Sequence, residues 1–162
     1  MHIPVCFYTL KWGQEGLGMF AKISTGLALG SLLSLVQPTI ASAAAVVATV
    51  DLSSQTMTVS QGGVVKYRWK VSTAKRGSVT PTGSWSAKWL SRNHRSSRYN
   101  NAPMPYSIFF SGNYAVHGTT YVNRLGTPAS HGCIRLHPSN AATLFSMTQQ
   151  VGLRNTRIVV QR

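Results

Sequence analysis

In "VVKYRWKV", residues 64–71, Val65, Tyr67, Trp69 and Val71 alternate with Lys66, Arg68 and Lys70. That period of two is what a strand needs to place one face in a core and the other in water. The run "TMTVS" precedes it across Gln61-Gly62-Gly63, a short glycine-bearing connection that reads as a hairpin. Further short strands are predicted at "VVATVD", "GSWSAKWL", "YSIFF", "YAVH" and the terminal "TRIVVQ", each bounded by Gly, Pro, Asn or Ser clusters. One segment breaks the pattern. In "SNAATLFSMTQQVG", residues 139–152, Ala141, Leu144, Phe145, Thr148 and Val151 recur on one helical face. Ser139, behind Pro138, is its expected N-cap and Gly152 its expected stop. The prediction is a mainly β fold, a sandwich or barrel, with one helix near the C-terminal end.

The N-terminal region follows a different rule. Residues 26–36, "GLALGSLLSLV", form an uncharged apolar run with Lys22 before it and "QPTIASAAA" after it. Charge, then apolar run, then small residues is the order of a secretory leader. The run is shorter than the roughly 20 residues that cross a bilayer, and Ala41-Ser42-Ala43 supplies the small residues of a cleavage site. Residues 1–43 are therefore read as a secretory signal region and 44–162 as one exported domain, in the periplasm or cell envelope. Met19 is an alternative start, because "MFAKISTGLALG" is itself a well-proportioned leader. An uncleaved anchor is the other reading of the same run.

Charge then narrows the partners. The chain has 16 Lys and Arg residues against two acids, and from Ala44 onward Asp51 is the only acid. Such an excess of cations favours polyanions: nucleic acid, anionic lipid or the acidic polymers of a cell envelope. Export favours the envelope polymers over nucleic acid. In "WSAKWLSRNHRSSRY", residues 85–99, Lys88, Arg92, Arg95 and Arg98 interleave with Trp85, Trp89, His94 and Tyr99, a combination that also holds single-stranded nucleic acid. Its ordinary reading is a solvated loop over core tryptophans. Its functional reading is a flap whose Arg92, Arg95 and Arg98 meet carboxylates or envelope polyanions.

Cysteine usage raises a sharper question. Cys6 falls in the leader, which leaves Cys133 unpaired in a compartment where thiols usually oxidise in pairs. It is either an inert buried thiol or a functional one. The surrounding stretch, "YAVHGTTYVNRLGTPASHGCIRL", residues 114–136, offers the parts of a nucleophilic site. His117, at the end of an apolar strand, is a candidate base for Cys133. Gly126 and Pro128 let the chain turn back between them. Gly132 admits a close substrate approach and leaves backbone N–H groups around Cys133 free to face an oxyanion. Zinc is the competing reading, with His131, Cys133 and His137 as ligands and His117 and His94 nearby. The spacing H-x-C-x3-H is not a recurrent zinc pattern, so no metal and no cofactor are expected.

These residues resemble a known family. "HGT" at 117–119, "LGTPASHGCIRL" at 125–136 and the helix after it match the signature of the L,D-transpeptidase catalytic domain, also called YkuD-type. That signature is a histidine, a loop, then Ser-His-Gly-Cys followed by an apolar residue and Arg. "VSTAKRGSVTPTGSW" at 71–85 and "MPYSIFF" at 104–110 extend the resemblance over residues 46–160. Ala74 stands where the family commonly has glycine, and Asn140 where an acid is frequent. The resemblance implies an exported enzyme whose Cys133 attacks the L-centre carbonyl of a peptidoglycan tetrapeptide stem. D-alanine would leave through a thioester acyl-enzyme, and the acyl group would pass to an amine. It further implies that His117 is base and then acid, with its second ring nitrogen held by the Gly118 carbonyl. His131 would shape the pocket, while Ser130, Gly132 and Arg135 would support the loop and its oxyanion side, and Arg135 could also face a substrate carboxylate. The implied acceptor is a neighbouring stem, a lipoprotein side chain or water, and the implied state is a monomer sensitive to carbapenems. The alternatives are an L,D-carboxypeptidase or other thiol cell-wall hydrolase, and a noncatalytic basic envelope-binding module.

Overall fold

A computed structural model describes residues 46–162; the leader expected at 1–43 lies outside the described residues. Alternating apolar positions sort the strands into two sheets. β1 (Val46–Asp51), β2 (Thr56–Gln61), β3 (Val64–Lys70), β4 (Gly83–Ser86) and the terminal β9 (Thr156–Gln161) form one, in the order β3-β2-β1-β9-β4. The other contains β5 (Trp89–Arg95), β6 (Pro103–Ser111), β7 (Tyr114–Gly118) and β8 (Ile134–Leu136), in sequence order. Pairing is antiparallel except for β1 with β9 and β7 with β8. The helix α1 (Pro138–Val151) completes a mainly β architecture of two sheets and one α-helix.

One core joins these layers. Val46, Val50, Met57, Val59, Ile158 and Val160 enter it from the larger sheet, and Ile108, Phe110, Val116, Ile134 and Leu136 from the smaller. Ala141, Leu144, Phe145 and Met147 close it from α1. The helical face predicted from the sequence is thus the packed face, with Thr148 buried on it and bonded through Oγ1 to the Leu144 carbonyl. Its N-terminus differs from expectation. His137, not Ser139, is the N-cap: its Nδ1 accepts from the Ser139 N–H at 3.3 Å. Pro138 takes the first helical position, where its missing N–H costs nothing.

Two strands also depart from the simple pattern. β3 is not half buried: Val65 is 51% and Tyr67 41% exposed, and only Trp69 within the strand is partly covered. It is an edge strand, and a bulge breaks its alternation, since Val59 pairs with Tyr67 but Ser60 pairs with Val65. Lys66 is therefore an extra residue, and Val65 turns to the face opposite Tyr67. The segment "GSWSAKWL" is likewise two strands in two sheets. The Ala87 N–H bonds to the Thr156 carbonyl and the Lys88 N–H to the Phe109 carbonyl, so the chain crosses between sheets at that pair.

Phe110 is fully buried between the layers and tilts against Trp85 at a ring separation of 5.3 Å. Phe110→Ala is expected to lower unfolding free energy by about 3–5 kcal/mol, read as a shift of the urea midpoint at unchanged slope.

Candidate active site

The smaller sheet has two apolar faces. Ile108, Phe110, Val116 and Ile134 point into the core, whereas Phe109 and Ala115 lie buried on the other side with Met104, and Cys133 packs against them. A sandwich sheet ordinarily turns its outer face to water, so a buried outer face marks a place where loops cover the sheet. His117, only 5% exposed, belongs to this face because it follows Ala115 by two residues. The parallel pairing of Val116 with Ile134 and His117 with Arg135 fixes the rest. Extended by one residue, it sets Cys133 beside Ala115, on the same face as His117. The two positions differ by about 6.6 Å along the strands and about 4.8 Å across them. Sixteen residues of sequence separation are thereby closed by a strand register.

The histidine has a defined tautomer. Its Nδ1 lies 2.7 Å from the Gly118 carbonyl oxygen, which can only accept. Nδ1 therefore carries the hydrogen and Nε2 a free lone pair. Burial pushes the His117 pKa down to about 4; the hydrogen bond to Gly118 opposes this, and the nearby Arg135 and His94 charges add to it. Burial pushes the Cys133 thiol up, against weaker pulls from the Ala115 backbone and Arg135. At neutral pH both groups are thus neutral rather than a preformed ion pair, and the Cys133 Sγ lies 3.8 Å from the Asn113 carbonyl oxygen.

Hydroxyls hold the loop that carries the thiol. Ser130 is 1% exposed; its Oγ donates to the Cys133 carbonyl at 2.7 Å and accepts from the Gly132 N–H at 3.0 Å. Thr80, also buried, donates to the Gly132 carbonyl at 2.8 Å and accepts from the Ala74 N–H. Two sequence expectations for Gly132 change here. Its N–H is already taken by Ser130. The room beside it is filled as well: a Cβ would lie 2.6 Å from Tyr114 Cε1 and 2.8 Å from the Val79 carbonyl oxygen, at φ +136°. Close packing within the protein, rather than space for a ligand, makes this position a glycine.

The remaining candidates fall into separate groups. Arg135 is tied to the loop through its Nη1 bond to the Ala129 carbonyl, while its backbone exchanges both hydrogen bonds with Ser72. His131 is exposed and stacks on Tyr99 with ring centroids 4.6 Å apart. Tyr99 comes from the β5–β6 turn, so this turn meets the thiol loop. Arg98 stands over the Tyr99 ring and Arg95 bonds the Asn101 carbonyl within the same turn. Arg92 is elsewhere. Its guanidinium lies over Tyr106 and Phe145, toward α1. His137 is engaged at the helix N-cap, and among the described residues no three His, Cys, Asp or Glu side chains gather as a metal site. The sequence reading missed Thr80 and Tyr99. Thr80 sits in a polar, aperiodic segment that gives no burial signal, and in the sequence Tyr99 is one more aromatic among cations.

The candidate site is thus a buried His117 on β7 and a half-buried Cys133 just ahead of β8, on one face of a β-sandwich sheet and backed by a hydroxyl-braced Ser-His-Gly-Cys loop. The family model for the L,D-transpeptidase catalytic domain, YkuD, matches residues 45–160, and the chain belongs to that family. Solved structures agree. LdtMt1, determined in complex with imipenem, is 28% identical with a TM-score of 0.65, the match covering 72% of this chain and 59% of that one. An L,D-transpeptidase from Mycobacterium smegmatis is 27% identical at TM-score 0.65, covering 73% of this chain and 59% of that one. One from Stackebrandtia nassauensis is 28% identical at TM-score 0.64, with 73% and 56% covered. The chain thus spans less than two thirds of these proteins. No curated protein matches it.

Gly132→Ala is expected to cost about 1–3 kcal/mol of stability by overpacking against Tyr114 and the Val79 carbonyl, measured by urea unfolding. The buried His117 sets a pH dependence of known sign. Below about pH 6.5 the unfolded chain binds a proton that the folded protein refuses until about pH 4. Its contribution to stability is therefore complete above this window and lost as pH falls through it, by on the order of 3 kcal/mol. Unfolding free energies at pH 7 and pH 4.5 should show the drop, and His117→Asn should reduce it.

Proposed function

We propose that the protein is an exported L,D-transpeptidase of the cell wall, with Cys133 as nucleophile and His117 as general base and acid. The observation that carries this reading is the register of β7 against β8, which sets His117 and Cys133, the residue just ahead of β8, on one face of the sheet, with His117 Nδ1 anchored to Gly118 and Nε2 left free. The Cys133 Sγ attacks the carbonyl of the L-centre residue in a tetrapeptide stem, and its proton passes to His117 Nε2. Because thiol and imidazole both start neutral, proton transfer accompanies bond formation. Collapse of the tetrahedral adduct breaks the peptide bond, and His117 returns the proton to the departing D-alanine amine. A thioester remains. An amine from a neighbouring stem or a lipoprotein then attacks it, losing a proton to His117, and the new amide releases the thiol; water in that step gives a carboxypeptidase.

Ser130, Gly132 and Arg135 support the thiol loop in this scheme, and His131 forms the pocket wall with Tyr99. Arg95, at the end of β5, and Arg98, in the β5–β6 turn, attract the carboxylates of acidic stems in this reading; Arg92, turned toward α1, serves the fold. The thiol is also expected to be acylated by carbapenems. Among the described residues no helix is long and apolar enough to cross a membrane, and the leader at 1–43 provides the route of export.

The test is to incubate the protein and its Cys133→Ala variant with disaccharide-tetrapeptide and follow both protein and products by mass spectrometry. Expected are an acyl adduct, D-alanine release and cross-linked dimers, all lost in the variant with its melting temperature retained. D-alanine release without dimers would identify the carboxypeptidase. Turnover surviving in Cys133→Ala would end the thiol mechanism.

A further inference from the structure

Gln55 is 4% exposed, although glutamine is mostly a surface residue. It also holds a left-handed backbone, φ +52°, which is uncommon outside glycine. Its amide is fully occupied. Nε2 donates to the Leu52 carbonyl at 2.8 Å and to Thr73 Oγ1 at 2.7 Å, while Oε1 accepts from the Thr73 N–H at 2.9 Å. The Gln55 carbonyl accepts from the Val71 N–H as well. One residue of the β1–β2 turn thus grips the strap at 71–73 by both backbone and side chain.

The strap is in turn fastened to the thiol loop. The Thr73 carbonyl accepts from both the Ala129 and Ser130 N–H groups, at 2.9 and 2.8 Å. Ser72 Oγ donates to the Thr127 carbonyl, and the Lys75 N–H to the Ser130 carbonyl. Ser130 then braces Gly132 and Cys133. At the outer end, Asp51 accepts from the Ser53 N–H, Ser53 Oγ and the Ser54 N–H, shaping the turn that presents Gln55. The only acid from Ala44 onward therefore serves this turn rather than the chemistry.

We infer that Gln55 is a positioning residue for Cys133, acting through Thr73 and Ser130 across the gap between the larger sheet and the thiol loop. Removing the amide leaves the buried Thr73 N–H without its partner, takes one from the part-buried Leu52 carbonyl, and frees the strap to shift. Small misplacements of a nucleophile are costly, about 100-fold for 1 Å.

The role assigned to Cys133 rests on the transpeptidase reading, so the test uses two readouts. Gln55→Met keeps most of the volume and removes the hydrogen bonds; Val50→Ala, a fully buried change in β1 outside the relay, controls for simple loss of stability. In Gln55→Met the acylation rate at saturating disaccharide-tetrapeptide should fall at least about tenfold, with half-saturation within about twofold. The iodoacetamide alkylation rate of Cys133, which needs no substrate, should change at least about threefold. Val50→Ala should stay near wild type in both, below its melting temperature. Equal losses in the two variants, or rates in Gln55→Met within about twofold of wild type, would overturn the inference. If the wild-type protein takes no acyl group, the transpeptidase reading falls, and the alkylation comparison alone decides whether Gln55 positions the thiol.

Discussion

The parallel register of β7 against β8 is the constraint on which the site depends. Val116 opposite Ile134 puts both into the core, and that choice forces Ala115, His117 and Cys133 onto the other face. A slip of one residue would bury the histidine's neighbours in the wrong layer and exchange the faces of the whole strand. The hydrophobic core therefore does more than stabilise the fold: it sets the stagger of an imidazole and a thiol that the sequence keeps sixteen residues apart. The small apolar cluster of Met104, Phe109 and Ala115 then makes the outer face dry enough to hold both groups neutral.

Neutrality of this histidine also fits a chain so rich in cations. Positive charge near His117 disfavours its protonated form, and Arg135 and His94 act in that direction together with burial. The same Arg135 favours the thiolate. A cation beside the pair thus biases proton transfer from sulfur to nitrogen less than it stabilises the negative sulfur. The Gly118 carbonyl takes the orienting place that a carboxylate holds beside the histidine of many catalytic triads, and it adds no negative charge.

Much of this was legible in the sequence, and the failures have specific causes. Period two found most strands and period 3.6 the packed face of α1, because those residues are sorted by solvent. Period two missed the three-residue β8 and the outer part of β5, where the segment expected as a loop over core tryptophans is a strand with Trp89 exposed. Lys66 defeated the pattern because a bulge adds a residue without changing composition. The crossing at Ala87 and Lys88 was hidden because two short strands in different sheets look like one when their junction lacks Gly or Pro. His117 and Cys133 could be singled out as a candidate pair from residue types and spacing, and their placement on one face of the sheet could not. Gln55, Thr73 and Thr80 were invisible for a further reason: buried polar residues satisfied by backbone partners leave no periodic mark.

The pairing of β1 with β9 has a consequence for how the protein comes into being. These strands lie at the two ends of the described chain yet are neighbours in the middle of the larger sheet. That sheet cannot assemble around its centre until residues 156–161 have been synthesised. Contacts of such long sequence separation are closed late and slowly, so the larger sheet waits for residues 156–161, and during that interval the preceding chain remains open to handling by other machinery.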